Sequence, residues 1–254
     1  MDFPTPLVRG RLIQRYKRFL ADIVLDDGTE ITAHCPNPGA MIGLNMPGLT
    51  CWLSKSPDPK RKLPYTWELV EVPNEISGGF VTCGINTMLS EVTAPRALVG
   101  VNTMRANGLV AEALKQEAIP ELSGYRSVRA EVRYGTASRV DFLLEDSNRS
   151  ACWLEVKSVT LHRGNGLAEF PDCVSERALR HVAELRAKVE AGERAVVLFV
   201  VQRNDCDRFS LAADLDPVFS DHLRKATANG VEALVYGCEM DRHGINITHR
   251  LPMV

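Results

Sequence analysis

The segment SRVDFLLEDSNRSACWLEVKSVT, residues 138–160, places two acids and a lysine among strand-forming residues. Apolar residues recur with a period of two over residues 140–144 and again over residues 153–157, which predicts two β-strands. Between them, residues 146–150 read DSNRS, a polar cluster that predicts a turn. The segment is therefore expected to fold as a β-hairpin.

A hairpin centred on Asn148 puts Asp141 directly opposite Glu155 and leaves Lys157 two residues farther along the same face. Opposed residues have Cβ atoms about 4.5–5.5 Å apart, and two like charges placed that way are destabilising. A divalent cation relieves the repulsion, because hard cations such as Mg²⁺ take carboxylate oxygens as ligands. The hairpin thus predicts that Asp141 and Glu155 hold Mg²⁺ or Mn²⁺, with Lys157 as a catalytic neighbour.

A solvated sheet face is the alternative, because acids and lysines at alternate strand positions usually face water. The run AVVLFVV, residues 195–201, weighs against it. A continuous apolar strand of this kind is typical of a sheet that helices cover on both faces. The hairpin is therefore expected to belong to a covered sheet.

Composition restricts the class of protein. The chain has 254 residues, 45% hydrophobic and 24% charged, which suits a globular protein of one large or two small domains. Its seven cysteines are odd in number and include no CxxC pair, which argues against a disulfide framework and a standard zinc site. No apolar run approaches the roughly 18 residues of a membrane helix, and the first residues lack a signal-peptide core. We expect a cytoplasmic protein without a membrane partner.

Two local clusters carry positive charge, although the net charge of −2 gives no overall attraction to nucleic acid. RGRLIQRYKR, residues 9–18, holds five basic residues, and KSPDPKRKLPY, residues 55–65, holds four basic residues and one acid. The neighbouring aromatic residues favour nucleic acid over a merely solvated surface, because bases stack on such rings. The aromatic residues are Tyr16, Phe19, Tyr65 and Trp67. The candidate nucleic-acid contacts in the clusters are Arg11, Arg15, Lys17, Arg18, Lys60, Arg61 and Lys62.

Five short strands separated by turn signals are predicted in the first third of the chain. They span residues 7–24, 30–35, 50–55, 65–72 and 80–85. Five is the strand count of the oligonucleotide/oligosaccharide-binding (OB) fold, a small β-barrel. Residues 1–85 are therefore predicted to form an OB-like nucleic-acid-binding domain.

From residue 86 the pattern changes to mixed helices and strands. A helix with an apolar stripe over residues 109–118 precedes three strands, which span 125–134, 139–145 and 151–160. A second helix, from an N-cap at Ser175 to Gly192, precedes the buried strand. A helix near 217–229 and a strand at 231–240 complete the chain.

This order resembles the restriction-endonuclease-like core, in which helices flank a mixed central sheet. Its PD-(D/E)xK signature matches Asp141 and the triplet Glu155–Lys157, with Val140 in place of Pro. The resemblance implies a further acid upstream, for which Glu112 is the candidate and Glu131 the alternative. We therefore expect an α+β two-domain protein in which residues 86–254 form a PD-(D/E)xK nuclease-like domain.

Two segments after the hairpin are further candidates for the site. Residues 161–173, with two glycines, suggest a loop beside it. On the next helix, Arg177, Arg180 and His181 can face the site and contact phosphate, and a solvated helix face is the alternative.

Several longer strings resemble a known family over nearly the whole chain. They are LIQRYKRFLADI, HCPNPGAM, RKLPYTWELV, ELSGY, RVDFLL and LEVKSVTL. Together they resemble the sugar fermentation stimulation protein A family of bacteria and archaea. The resemblance implies an OB-like domain joined to a nuclease-like domain, non-specific DNA binding and a regulatory role in sugar (maltose) metabolism. Pro38 replaces the Thr of the family's HCPNTG form, and the turn is expected to persist because Pro and Gly both favour it.

Three functions of different class stay open. The first is a DNA-binding protein that hydrolyses phosphodiesters at a divalent-metal site. The second is a DNA-binding regulator with a catalytically silent nuclease-like domain, and the third is an OB-type module that binds RNA or a protein. Phosphate contacts carry no sequence information, so DNA binding is expected to be non-specific. The oligomeric state is open, a homodimer included.

Overall fold

The structure, a computed structural model, describes residues 1–73, 96–134 and 138–254. They form two domains, each built on its own six-stranded sheet. The strand predicted at residues 80–85 and the predicted boundary after residue 85 lie outside the described residues. Within the described ranges, no helix is long and apolar enough to cross a membrane.

The first domain contains the barrel. Its strands are β1 (Val8–Tyr16), β2 (Leu20–Leu25), β3 (Glu30–His34), β4 (Thr50–Lys55), β5 (Tyr65–Pro73) and β6 (Arg96–Gly100). They lie in the order β3-β2-β1-β4-β5-β6, and a pairing of His34 with Thr66 joins β3 to β5. That pairing closes β1–β5 into the expected five-stranded OB barrel, and β6 extends the sheet beside β5. The barrel interior is apolar, with Ile23, Leu53 and Trp67 fully buried.

The prediction of one strand over residues 7–24 is wrong. Two antiparallel strands, β1 and β2, are joined by a tight turn at Lys17 and Arg18. Both residues have left-handed backbone angles, with φ of 48° and 64°. Gly or Asn is the usual signal for such a turn, and neither is present. A side chain of β1 stabilises the turn instead, because Arg15 Nη2 donates to the Arg18 carbonyl at 2.9 Å.

The second domain is a mixed sheet with helices on both faces. Its elements are α1 (Arg105–Lys115), a 3₁₀ helix (Pro120–Leu122), β7 (Ser127–Tyr134), β8 (Ser138–Asp146), β9 (Arg149–Val159), β10 (Leu161–His162), β11 (Leu167–Phe170), α2 (Glu176–Glu190), β12 (Arg194–Val201), β13 (Arg208–Leu211), α3 (Pro217–Ala228), β14 (Glu232–Met240) and β15 (Ile245–Arg250). The sheet order is β15-β14-β12-β9-β8-β7. β7, β8 and β9 pair antiparallel, whereas β9, β12 and β14 pair parallel.

The strand predicted to be covered on both faces is β12. Every residue from Ala195 to Val201 is buried. α1 packs on one face of the sheet through Leu109 and Val110, and α2 and α3 pack on the other through Leu185 and Leu223. The hairpin β8–β9 therefore lies in a sheet whose two faces are both covered, as predicted.

Residues 161–173 do not form a simple loop. β10 and β11 pair antiparallel, and β11 pairs parallel with β13 in a separate three-stranded sheet. Strands of two and four residues are too short for a periodic pattern, and β13 comes much later in the chain. The sequence therefore offered no local signal for this sheet.

A buried ion pair joins the two domains. Glu68 on β5 accepts two hydrogen bonds from Arg105 at the start of α1, at 2.7 and 3.0 Å. Ser54 and Asn102 donate to the same carboxylate at 2.6 and 2.9 Å. The Glu68 side chain is 2% exposed and the Arg105 side chain 15% exposed. The orientation of α1 against the barrel thus depends on a fully hydrogen-bonded buried carboxylate.

Loss of Arg105 is expected to be far more destabilising than loss of an exposed arginine. Arg105→Ala leaves the Glu68 carboxylate buried without its cation and should lower the free energy of unfolding by about 3–5 kcal/mol. Arg129→Ala is the control, since its pair with Glu145 is half exposed and should contribute no more than about 1 kcal/mol. Urea unfolding measures both values. The double variant Glu68→Gln/Arg105→Met should recover part of the loss. Equal destabilisation by Arg105→Ala and Arg129→Ala would contradict a stabilising role of the buried ion pair.

Candidate metal centre

β8 and β9 pair in the predicted register from Phe142 to Leu144, and the register shifts by one residue near the turn, where Asp146 pairs with Arg149. Directly before Phe142, the side chain of Asp141 replaces a ladder hydrogen bond, because its Oδ2 accepts the backbone N–H of Val156 at 2.7 Å. Asp141 also lies close enough to Glu155 for the two negative charges to interact. The hairpin therefore brings the two predicted carboxylates together at the point where the strands separate.

Asp141 is a partly buried acid that is held by two donors. Besides the Val156 N–H, Asn107 Nδ2 of α1 donates to Oδ1 at 2.8 Å. Burial, followed by the negative charge of Glu155, raises the pKa of the Asp141 carboxyl, and the two hydrogen bonds oppose that shift only in part. A perturbed carboxyl beside a second carboxylate is typical of functional sites. Bound positive charge would favour its ionised form.

Glu155 is held by two cationic or hydrogen-bonding partners on one oxygen. Its side chain is 3% exposed, and Lys157 Nζ donates to its Oε1 at 2.8 Å. His181 Nδ1 contacts the same Oε1 in a short hydrogen bond. Burial by itself raises the pKa of Glu155, but the contacts with His181 and Lys157 outweigh burial and lower the pKa overall. Glu155 is therefore an ionised carboxylate inside the domain. Lys157, which is 11% exposed, is largely buried as well. The alternative of a solvated sheet face therefore does not hold.

The second oxygen of Glu155 has no such support. Oε2 is buried and has no hydrogen-bond partner among the described residues. A buried acceptor left unsatisfied costs about 1–3 kcal/mol, and more when the group is charged. The protein contacts of Glu155 therefore do not account for the burial of Oε2.

α2 brings His181 over the sheet. Ser175 caps the helix as predicted, because its Oγ accepts the Ala178 N–H at 3.2 Å. His181 lies within the apolar stripe that includes Val182 and Leu185, and it is 3% exposed. His181 therefore faces the site, as expected, with its ring buried against Glu155. Helical spacing from the cap and the stripe was the sequence signal that could have placed His181 on the buried face of the helix.

Of the two candidate upstream acids, Glu112 is committed elsewhere and Glu131 lies beside the hairpin. The Glu112 carboxylate pairs with the Met1 ammonium at 2.7 Å. α1 presents Asn107, one and a half turns earlier, to Asp141 instead. Glu131 is exposed and has a left-handed φ of 55°. Glu112 is thus paired with the N-terminus, whereas Glu131 lies across the β7–β8 ladder from Asp141 with an exposed side chain.

The donor set suits a hard divalent cation. Across residues 1–73, 96–134 and 138–254, no three His, Cys, Asp or Glu side chains converge as a metal-binding group. Mg²⁺ does not require three, because it usually keeps several waters and binds through one or two carboxylates. Asp141 and Glu155, with its orphaned Oε2, provide two carboxylates. The two residues predicted as metal ligands therefore have the chemistry that Mg²⁺ requires.

The predicted nucleic-acid contacts divide into free and committed side chains. Arg15 is committed, since its Nη2 donates to three carbonyls, those of Arg18, Asn37 and Gly39. Arg61 donates to Thr66 at 2.8 Å but is largely exposed. Arg11 and Arg177 are exposed and make one long hydrogen bond each, to Gly48 and His181. The other exposed candidates are Lys17, Arg18, Lys60, Lys62 and Arg180.

Only one of the four aromatic neighbours is readily available for stacking. Trp67 is fully buried in the barrel, and Phe19 is 48% exposed. Tyr16 donates to Asp22, and the ring of Tyr65 lies under the Lys55 ammonium. Phe19 is therefore the ring on which a base could stack without rearrangement.

A cleft of about 330 Å³ lies between the domains. Its lining includes Arg18 from the β1–β2 turn, Asn37 from the barrel, Ser158 from β9 and Ser175 at the start of α2. The cleft therefore reaches β9, the strand that carries Glu155 and Lys157, although neither of these two residues lines it.

A divalent cation is expected to bind at Asp141 and to stabilise the fold. Mn²⁺ at a hundred times its Kd should raise the free energy of unfolding by about 2.7 kcal/mol, because it binds only the folded state. Asp141→Ala should lower the affinity for Mn²⁺, which calorimetry measures. Glu112→Gln is the matched control, since its carboxylate pairs with Met1, and it should bind Mn²⁺ like the wild type. Identical affinity of the wild type and Asp141→Ala would rule out this centre.

Both domains match profiles of one family. Residues 13–78 match the SfsA N-terminal OB domain, and residues 104–244 match the Sugar fermentation stimulation protein RE domain. Together the two matches cover most of the chain.

Full-length relatives carry the same name. A sugar fermentation stimulation protein homolog of Caulobacter vibrioides is 53% identical over 251 residues, which cover 99% of this chain and 96% of the relative. The homolog of Rhodospirillum centenum is 50% identical over 251 residues, with 99% and 98% covered. The fold of Pyrococcus furiosus SfsA, solved in complex with Ca²⁺, matches with a TM-score of 0.81 at 23% identity, over 100% of this chain and 98% of that chain. The chain belongs to the sugar fermentation stimulation protein family.

Proposed function

We propose that this protein binds DNA without sequence preference and hydrolyses phosphodiester bonds at Asp141 and Glu155 with a divalent cation, Mg²⁺ or Mn²⁺. The observation that carries the proposal is the buried Oε2 of Glu155, which has no hydrogen-bond partner among the described residues and lies beside the partly buried carboxyl of Asp141. An oxygen left in that state is unfavourable in a purely structural acid, whereas it suits an oxygen that binds a cation.

Each residue of the centre has a role that follows from its contacts. Asp141 and Glu155 hold the ion, and Asn107 fixes the Asp141 carboxylate from α1. When bound, the ion polarises a phosphate oxygen and lowers the pKa of a bound water. Lys157 keeps its ammonium at the Glu155 carboxylate and stabilises negative charge that develops on the phosphate.

The solved relative supports the choice of cation. The Pyrococcus furiosus protein was solved in complex with Ca²⁺. Ca²⁺ and Mg²⁺ share a preference for carboxylate oxygens, although they differ in size and coordination number. By extension from that protein, we assign a divalent cation to this chain.

DNA binding is proposed from the exposed basic residues of the barrel. Lys17 and Arg18 lie at one turn, and Lys60, Arg61 and Lys62 lie in the β4–β5 loop. Such side chains bind phosphates irrespective of base sequence. The family name connects these proteins with sugar fermentation, and we extend to this chain a regulatory role in sugar (maltose) metabolism through DNA binding.

The test is a cleavage assay on labelled DNA and RNA, single- and double-stranded, in Mg²⁺, Mn²⁺ or EDTA. Lys157→Met keeps most of the buried stem but removes the ammonium, so cleavage should fall a hundred- to a thousand-fold, on the order of 3–4 kcal/mol. DNA affinity should change far less, because at most one phosphate contact is lost. Lys188→Met is the control, since that ammonium lies over Trp153 at 3.8 Å rather than on Glu155, and it should cleave normally.

The remaining outcomes separate the alternatives. DNA binding without metal-dependent cleavage by the wild type would favour the catalytically silent regulator. Binding of RNA or of a protein, with no affinity for DNA, would favour the OB-type module. Equal cleavage by the wild type and Lys157→Met would remove Lys157 from the mechanism.

The β4–β5 loop is expected to contribute to DNA affinity through phosphate contacts. Each contact adds about 0.9 to the magnitude of the log–log salt slope, so alanine at Lys60, Arg61 and Lys62 should flatten the slope by up to roughly 2.7 units. Fluorescence anisotropy across a salt series measures the slope. Alanine at Arg224 and Lys225 of α3 is the control and should leave it unchanged. An unaltered slope in the triple variant would move the DNA-binding surface away from this loop.

A further inference from the structure

Two donors meet the same oxygen of Glu155. Lys157 Nζ and His181 Nδ1 both contact Oε1, and Oε2 keeps no partner among the described residues. A carboxylate has acceptor sites on both oxygens. One donor on each oxygen would satisfy the buried group, whereas this arrangement leaves one oxygen open.

Two further side chains contact the imidazole of His181. Arg177 Nε lies 3.5 Å from its Nε2, and the Tyr134 ring meets it edge-on at 6.3 Å and 79°. Because an Arg N–H can only donate, Nε2 is the acceptor in this contact, and Nδ1 is the nitrogen that donates to Glu155. Packing of α2 on the sheet, through Val182, holds the backbone.

Lys157 alone cannot fix the carboxylate in this way. Its ammonium is a point charge on a flexible four-carbon stem and can follow either oxygen. The His181 ring projects from a capped helix and has a single donor facing Glu155. The choice of which Glu155 oxygen stays open is therefore made by His181.

We infer that His181 is a positioning residue for the cation centre, which holds Glu155 by Oε1 so that Oε2 faces the ion. This inference rests on the proposed function, because it assigns a role at the same centre. Groups that orient a metal ligand from behind typically change metal affinity 10- to 100-fold when they are removed.

The experiment measures Mn²⁺ affinity by calorimetry, independently of cleavage. His181→Phe keeps a ring but has no donor, and should weaken binding about 10- to 100-fold. His181→Asn places an amide N–H where Nδ1 was, and should recover most of the loss. Val182→Ala is the matched control, since it removes buried packing from the same helix, and should bind Mn²⁺ like the wild type once folded.

A fourth variant covers the case in which His181→Phe does not fold. His181→Gln carries its donor one carbon farther out, so it should bind Mn²⁺ more weakly than His181→Asn. In the cleavage assay, the Mg²⁺ concentration that gives half-maximal rate should rise in the order wild type, Asn, Gln, while the rate at saturating Mg²⁺ changes less.

The possible results distinguish failure of the proposed function from failure of the inference about His181. A wild type that binds no Mn²⁺ would overturn both the proposed function and the inference. A wild type that binds Mn²⁺, with His181→Phe equal to it, would overturn the inference alone. Equal affinities of the Asn and Gln variants would do the same, because the position of the donor would then not matter.

Discussion

The buried charge of Glu155 constrains the second domain more than any other interaction. β9 pairs with β8 on one side and β12 on the other, and helices cover both faces, so a carboxylate there cannot be solvated. Its partners must be supplied by the protein, one from the same strand and one from α2. Removal of one partner of a buried ion pair typically costs about 3–5 kcal/mol. The position of α2 over the sheet is therefore set by a polar contact as well as by apolar packing.

The same centre is tied to the barrel through α1. Glu68 of the barrel binds Arg105 in the first turn of that helix, and Asn107, two residues later, donates to Asp141. A change in how the barrel meets the helix would therefore move the group that holds Asp141. This short path provides a physical means for the OB domain to influence the carboxylate pair.

The exposed basic side chains of the barrel and the acids of the candidate metal centre lie in different domains. The basic side chains belong to the β1–β2 turn and the β4–β5 loop, whereas Glu155, which is buried, and Asp141, which is partly buried, belong to the hairpin of the second domain. The cleft between the domains is lined by Arg18 from the barrel and by Ser158, which follows Lys157 in β9. The basic side chains and the carboxylate pair can thus be substituted separately.

Local periodicity, turn chemistry and helix caps were sufficient to predict a barrel followed by a mixed sheet, although the strand predicted at residues 7–24 is two strands. They also predicted the hairpin register from Phe142 to Leu144 and the proximity of Asp141, Glu155 and Lys157. These features depend on residues close together in the chain, whose relation a period of two or a cap at Ser175 already determines. Tertiary structure alone decided that Asn107 rather than Glu112 reaches Asp141, and that His181 contacts Glu155. It also committed Arg15 to carbonyls of the barrel. The physical reason is that such contacts depend on the rotation and height of a helix over a sheet, or of one loop over another. Packing of the whole core sets those quantities, and residue spacing within one segment does not.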